Sequence, residues 1–173
     1  MKKIISLFLL LPLLALGQQV LSLKERALLI DEIQKDRFDN LLPKLMEDTG
    51  IDLWVLITRE YNEDPVIKTL LPPTWLNARR QTILVFSKNK DSEGITSAAI
   101  TRYPFGKLIP SIWNKEKQPN QWQALADYIV SKNPKNIGIN TSKSFALADG
   151  LVKTDYDAPV SYTHLTLPTT PYV

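Results

Sequence analysis

The spacing of apolar residues after position 22 predicts a long, interrupted helix. The segment Ser22-Leu-Lys-Glu25 fits a capping box, in which the serine and glutamate side chains each bond to the other residue's backbone N–H. Apolar residues then recur every three or four positions, and the pattern predicts a break or kink before Pro43 and an end at Gly50. The stripe consists of Leu28, Leu29, Ile33, Phe38, Leu41, Leu42, Leu45 and Met46.

Short apolar runs, rich in β-branched residues, predict four strands. The runs 52–58 and 81–87 are apolar almost throughout, which is typical of strands buried on both faces. A polar segment that ends at Gly94 separates the second run from a third at 95–101 and suits a hairpin. A fourth strand is expected at 136–140.

Two more helices complete the pattern. Residues 121–130 form an amphipathic helix whose apolar face carries Trp122, Leu125, Ala126 and Ile129, and Ser144 is placed to cap a short helix over 145–150. Helices that alternate with buried strands predict an α/β fold, with a mixed β-sheet and flanking helices.

The N-terminus has the pattern of a secretory signal. Lys2 and Lys3 precede an apolar run from Ile4 to Leu16. A basic start, about 7–15 apolar residues and small residues at the end are typical of a signal peptide, and a bilayer span needs about 20 apolar residues. We therefore expect a signal peptide over 1–17, cleaved between Gly17 and Gln18, rather than a buried helix. The mature protein would be exported, periplasmic or secreted, with no membrane attachment after cleavage.

The C-terminal segment differs in composition from the rest of the chain. From Val160 it reads VSYTHLTLPTTPYV, rich in threonine and without Asp, Glu, Lys or Arg. Residues 160–169 are similar, without a mismatch, to the translation of a transposon-end sequencing adapter. We interpret 160–173 as a non-native tail, and we expect it to be unstructured and dispensable. His164 then does not belong to the natural protein, and the native domain spans 18–159.

The amino-acid composition limits the kinds of catalytic and binding site that the chain can form. The 173 residues include no cysteine and one histidine, which argues against disulfides, thiol nucleophiles and His-based catalytic sites. The formal charge of +3 includes Lys2 and Lys3 of the predicted signal peptide, so the remainder is nearly neutral and gives no support to nucleic-acid binding. The four tryptophans are interpreted as core or interface aromatics.

Three carboxylates, Glu60, Glu63 and Asp64, cluster after the first predicted strand. Sites for hard cations need about six oxygen ligands in a defined loop, and this spacing matches none of them. We interpret the cluster as a solvated entry to a helix.

The order of the chain's pieces resembles the N-terminal domain of the creatinase/prolidase/Xaa-Pro aminopeptidase family, the pita-bread metallopeptidases. The resemblance covers roughly residues 28–157 and depends on the order of several short motifs rather than on any one of them. These motifs are the first helix, Gly50-Ile-Asp-Leu-Trp-Val-Leu-Ile57, Arg59-Glu-Tyr-Asn62, Asn77-Ala-Arg-Arg80, Ile83-Leu-Val-Phe86 with its hairpin, Tyr103-Pro-Phe-Gly106 and Ile137-Gly-Ile-Asn140.

The resemblance implies a ribonuclease-H-like mixed sheet, a homodimer, and a lid over the partner subunit's active site. Relatives carry a C-terminal catalytic domain that binds two divalent metal ions through Asp, Asp, His, Glu and Glu. None of those ligands maps onto this chain, so we predict no catalytic residue, metal ligand or cofactor within it. The two metal ions are implied only for the missing catalytic domain.

The resemblance also points to candidate contact residues. In relatives, the segment that leads into the second strand directs aromatic and arginine side chains toward the neighbouring active site, and here that segment is Trp75-Leu-Asn-Ala-Arg-Arg80. Trp75, Arg79 and Arg80 are therefore candidate contacts to substrate or partner, since a guanidinium binds a peptide carboxylate through two parallel hydrogen bonds. The alternative is that both arginines are surface or dimer-contact charges.

Two functions follow from these observations. The first is the N-terminal substrate-capping and dimerisation domain of an exported metallopeptidase, not catalytic by itself. Its partners would be its own C-terminal catalytic domain, a second copy and the peptide substrate of the parent enzyme. The alternative is a stand-alone, exported, non-enzymatic α/β binding or interaction module. The adapter-like ending favours the first.

Overall fold

The computed structural model describes residues 20–89 and 94–163. The predicted signal peptide and its cleavage site at Gly17 and Gln18 lie outside these ranges, as does most of the adapter-like tail. In chain order the elements are α1 (Leu23–Asp36), a π-helical turn (Arg37–Leu41), α2 (Leu42–Asp48), β1 (Leu53–Arg59), α3 (Ile67–Leu70), β2 (Gln81–Lys88), β3 (Ile95–Ala99), α4 (Gln121–Lys132), β4 (Ile137–Ile139), a 3₁₀ turn (Ala146–Ala148) and α5 (Lys153–Thr163).

The strands form one mixed sheet in the order β3-β2-β1-β4. β2 is antiparallel to both of its neighbours, while β4 is parallel to β1. The pairing of β1 with β2 runs from Leu53 opposite Ser87 to Arg59 opposite Gln81. The predicted α/β class with a mixed sheet and flanking helices is confirmed, and the residues of β1 and β2 are buried along nearly their whole length, as their composition predicts.

Side chains of the two central strands alternate between two apolar cores, because successive residues of a strand point to opposite faces. On one face the π-helical turn and α2 cover β1 and β2, with Phe38, Met46, Leu56, Leu84 and Phe86 among the buried residues. On the other face α4 packs through Leu125 and Ile129 against Val55, Ile57, Ile83 and Val85. The sheet is therefore the middle layer of three.

The first helix begins and breaks where the sequence predicts. Ser22 and Glu25 form the capping box, with 2.8 Å from the Ser22 nitrogen to Glu25 Oε2 and 3.3 Å from the Glu25 nitrogen to Ser22 Oγ. Hydrogen bonds to the Glu25 carboxylate from the Ser22 side chain and from the Ser22 backbone lower the pKa of Glu25. Before Pro43 the helix widens into the π-helical turn, where the Leu42 N–H bonds to the Arg37 carbonyl, five residues back.

Part of the predicted apolar stripe is not covered by the rest of the described fold. Phe38, Leu42 and Met46 are buried, whereas Leu28 is 50% exposed and Ile33 43% exposed. Within α1 the buried residue is Gln34, which is 6% exposed and lies four positions before Phe38, so this helix turns the line through Gln34 toward the fold rather than the predicted apolar residues.

The C-terminal part of the fold corrects two expectations. The predicted helix over 145–150 is only the 3₁₀ turn, and Ser142 Oγ rather than Ser144 accepts the N–H of Phe145, at 3.0 Å. α5 continues to Thr163, so the first four residues of the adapter-like tail are helical and the expectation that they lack structure is wrong. Within the described ranges, no helix combines the length and hydropathy that crossing a bilayer requires.

Candidate functional site

A half-open cavity of about 150 Å³ lies at the edge of the sheet where β2 begins. Four parts of the chain form its wall: the segment that leads into β2 with the first residues of that strand, the turn after β3, Trp113 in the segment between that turn and α4, and the start of α4. All three predicted contact residues line this cavity. The lining residues are Trp75, Arg79, Arg80, Gln81, Thr82, Thr101, Arg102, Tyr103, Trp113 and Gln121.

Stacking on an aromatic ring orients Arg79. Its guanidinium carbon lies 4.2 Å from the centre of the Trp75 ring, which is a cation–π arrangement. Trp75 in turn packs edge-on against Phe105, with ring centres 5.1 Å apart and planes at 71°. Because Phe105 is buried in the core, the Trp75–Arg79 pair is tied to the interior of the domain although Arg79 itself is exposed.

The backbone of Arg80 is strained. Its φ is +50°, in the left-handed region, which costs a non-glycine residue about 1–2 kcal/mol. Glu60, which follows β1, bonds to it twice: the Glu60 N–H donates to the Arg80 carbonyl at 2.6 Å, and the Arg80 N–H donates to Glu60 Oε2 at 3.0 Å. Glu60, the neighbour of Arg80 across the sheet, thus holds Arg80 in its strained conformation.

The sequence does not identify the remaining residues of the cavity wall as site residues. Arg102 and Tyr103 follow β3, and Trp113 donates its indole N–H to the Gln118 carbonyl at 2.7 Å. The Gln121 side-chain amide bonds to the Ile100 carbonyl at 2.5 Å and so joins α4 to the end of β3. Pairing of β2 with β3 brings Arg102 and Tyr103 to Arg80, and hydrogen bonds from the Gln121 amide to the Gln81 and Ile100 carbonyls bring the start of α4 there. The only sequence signal near them is the Tyr103-Pro-Phe-Gly106 motif.

The cavity is positively charged. Three arginines line it, and its lining includes no aspartate or glutamate. Within the described ranges the ion pairs involve other basic residues, so the guanidinium groups of Arg79, Arg80 and Arg102 have no carboxylate oxygen within 4.0 Å. A dry cavity of about 150 Å³ holds a benzene-sized molecule. Guanidiniums beside two indole rings therefore suit a small anion, above all a carboxylate, with a compact apolar body.

The acidic cluster after β1 is not the solvated helix entry that we expected, because Asp64 is completely buried. Its carboxylate accepts the Val66 N–H at 2.7 Å and the Asn140 side-chain amide at 2.9 Å. Asn140 also accepts the Trp54 indole N–H, at 2.7 Å. Burial raises the pKa of Asp64, while the hydrogen bond from Asn140 opposes the rise. This network connects two parts of the fold, Asp64 at the start of the segment that leads to Trp75 and Asn140 just after β4. Its role is structural.

A larger groove of about 340 Å³ lies beside α2. Its lining is almost wholly apolar, with Leu42, Met46, Ile51 and Trp54 among its residues, and it includes no charged side chain. Since the groove offers no acid, base or ion for chemistry, the smaller charged cavity is the better candidate for function.

Comparisons with known proteins add no family assignment. No protein-family model matches the chain, and no match was found among curated proteins or solved structures. Within the described ranges, no three histidine, cysteine, aspartate or glutamate side chains are placed to share a metal ion. The family resemblance of the sequence therefore stays a prediction.

Proposed function

We propose that the chain is the N-terminal, substrate-capping and dimerisation domain of an exported metallopeptidase of the Xaa-Pro aminopeptidase/prolidase type, with a ribonuclease-H-like sheet. The observation that supports this most strongly is the cavity. Trp75, Arg79 and Arg80, chosen from the sequence resemblance, line it together with Arg102 and without a carboxylate. In this proposal a separate C-terminal catalytic domain holds two divalent metal ions, which supply the hydrolytic chemistry.

The role of the cavity is to bind the carboxylate of the peptide substrate. A guanidinium presents two parallel N–H groups that match the two oxygens of a carboxylate. A hydrogen bond of this charged kind contributes about 1.5–3 kcal/mol. Trp75 restricts the Arg79 guanidinium to one region of space, since the two groups stack at 4.2 Å, and so reduces the entropy lost on binding.

The uncovered face of α1 supports the dimerisation part of the proposal. Leu28, Leu29 and Ile33 lie on this helix and are between 43% and 50% exposed. Contiguous exposed apolar side chains commonly mark protein–protein contacts. A second copy of the domain would remove them from water.

Kinetics of the longer enzyme would test the proposal. Arg79→Ala and Arg80→Ala are each assayed on an Xaa-Pro peptide at concentrations well above the dimer dissociation constant. At least one should lower kcat/KM about ten- to hundred-fold, as the loss of a charged hydrogen bond implies. Arg→Lys should rescue poorly, because an ammonium cannot reproduce the planar pair of donors. Unchanged kcat/KM in both alanine variants would refute the capping role.

A further inference from the structure

Two left-handed residues mark the place where the pairing of β1 with β2 stops. Arg59 opposite Gln81 is the last pair of the ladder. The chain then turns away at Tyr61, with φ +67°, on one side and at Arg80, with φ +50°, on the other. Neither residue is a glycine. Strained backbone of this kind persists only where its surroundings hold it, and it clusters at functional sites.

Glu60 supplies the contacts that hold Arg80. Its backbone N–H continues the ladder by donating to the Arg80 carbonyl at 2.6 Å. In the opposite direction the Arg80 N–H donates to Glu60 Oε2 at 3.0 Å, so the Glu60 side chain accepts this bond in place of the Glu60 carbonyl. The carboxylate thus takes a position that a main-chain carbonyl would hold in a regular ladder.

The left-handed turn at Arg80 changes which side chains reach the cavity. The backbone dihedral angles of a residue set the direction in which its side chain leaves the chain, so an extended Arg80 would direct its side chain differently from the left-handed one. The left-handed Arg80 lines the cavity together with Arg79 before it and the first two residues of β2 after it, and Glu60 does not line it. We propose that Glu60 is a positioning residue, which directs the Arg80 guanidinium into the cavity by holding the Arg80 backbone left-handed. This inference rests on the proposed function of the cavity as a carboxylate site.

The test uses the full chain and two probes, the dipeptide glycyl-proline and its C-terminal amide, titrated calorimetrically. The wild type should prefer the acid. Glu60→Ala should weaken acid binding about tenfold, the lower end expected when a charged hydrogen bond is lost. Glu60→Gln keeps an oxygen that accepts the Arg80 N–H and should retain binding. Glu60→Asp keeps the charge but is one methylene too short, and it should behave as the alanine variant does. Glu32→Ala removes an exposed glutamate on α1 and serves as the matched control.

Two further readouts separate positioning from a general loss of structure. Amide exchange at Arg80 should be slow in the wild type and in Glu60→Gln, and fast in Glu60→Ala and Glu60→Asp. In an Arg80→Ala background, Glu60→Ala should cause no further loss of acid binding, because its effect passes through Arg80.

The outcomes distinguish this inference from the proposed function. If the wild type binds acid and amide equally, or binds neither, the carboxylate role of the cavity fails and the inference fails with it. If the wild type prefers the acid but Glu60→Asp binds as tightly as the wild type, Glu60 does not position Arg80 and the proposed function survives. If Glu60→Ala weakens acid binding equally in the wild type and in the Arg80→Ala background, the inference is overturned and the proposed function survives.

Discussion

Replacement of Asp64 by alanine should change stability in a pH-dependent way. The buried carboxyl accepts the Val66 N–H at 2.7 Å and the Asn140 side-chain amide at 2.9 Å. Asp64→Ala leaves both donors without this partner. Where Asp64 is protonated and neutral, two neutral hydrogen bonds of about 1 kcal/mol each make the wild type about 2 kcal/mol more stable than the variant.

The sign of the pH dependence follows from burial. Burial raises the pKa of Asp64 in the folded state, whereas the unfolded chain has an ordinary aspartate pKa of about 3.9. Between these two pKa values the folded protein binds more protons than the unfolded chain, so its stability falls as pH rises. Alanine has no proton to lose. The stability advantage of the wild type should therefore be greatest below about pH 4 and should shrink as pH rises through the folded pKa of Asp64.

Urea denaturation of both proteins between pH 4 and pH 7.5 measures this difference. Asp48→Ala, which removes an exposed carboxylate at the end of α2, is the control and should show little change in its difference from the wild type over that range. If the advantage of Asp64 over alanine grows with pH, the anion is the stabilising form and the stated effect of burial is wrong.

Three further comparisons test other parts of the structure by urea denaturation. Because Asp155 is 1% exposed and the Arg59 side chain 45% exposed, Arg59→Ala leaves a buried charge and should cost about 3 kcal/mol. Asp155→Ala leaves a cation that water can reach and should cost clearly less; the reverse order would contradict this reasoning. Arg80→Gly should be about 1 kcal/mol more stable than Arg80→Ala, since glycine accepts a positive φ without strain, and equal stability would show that the strain is absent. Gly150→Ala would place its Cβ 2.0 Å from Asp64 Oδ2 and should abolish folding or cost several kcal/mol; near-neutral stability would show that this contact relaxes freely.

Local patterns predict most of the sheet and the helices that pack on it. The runs that became β1 and β2 are apolar because both of their faces are buried, and the capping box at Ser22 depends only on residues three positions apart. The exposed half of α1 shows the limit of periodicity, which identifies residues that share a face but not what covers them. α5 contains Pro159 and has little apolar periodicity; its contact with β1 through Asp155 and Arg59 depends on tertiary structure.

Some residues of the candidate site can be predicted from the sequence and others depend on tertiary structure. Trp75, Arg79 and Arg80 lie within six residues of one another, and the resemblance of this segment to the creatinase/prolidase family identifies them as candidates. Arg102 reaches the same cavity through the pairing of β2 with β3; the sequence predicts this hairpin, but no pattern in it marks Arg102 as a site residue. Asp64 looks solvated in sequence because its partner Asn140 lies 76 residues away.

The sequence of the gene beyond the codon for Pro159 tests most directly the claim that this chain is the N-terminal domain of a metallopeptidase. We expect the natural reading frame to continue past Pro159 without the adapter-like segment. It should encode a second domain that carries two aspartates, a histidine and two glutamates as metal ligands. A natural gene that encodes residues 160–173 as they stand here, followed by a stop codon, would contradict the claim and leave a stand-alone domain.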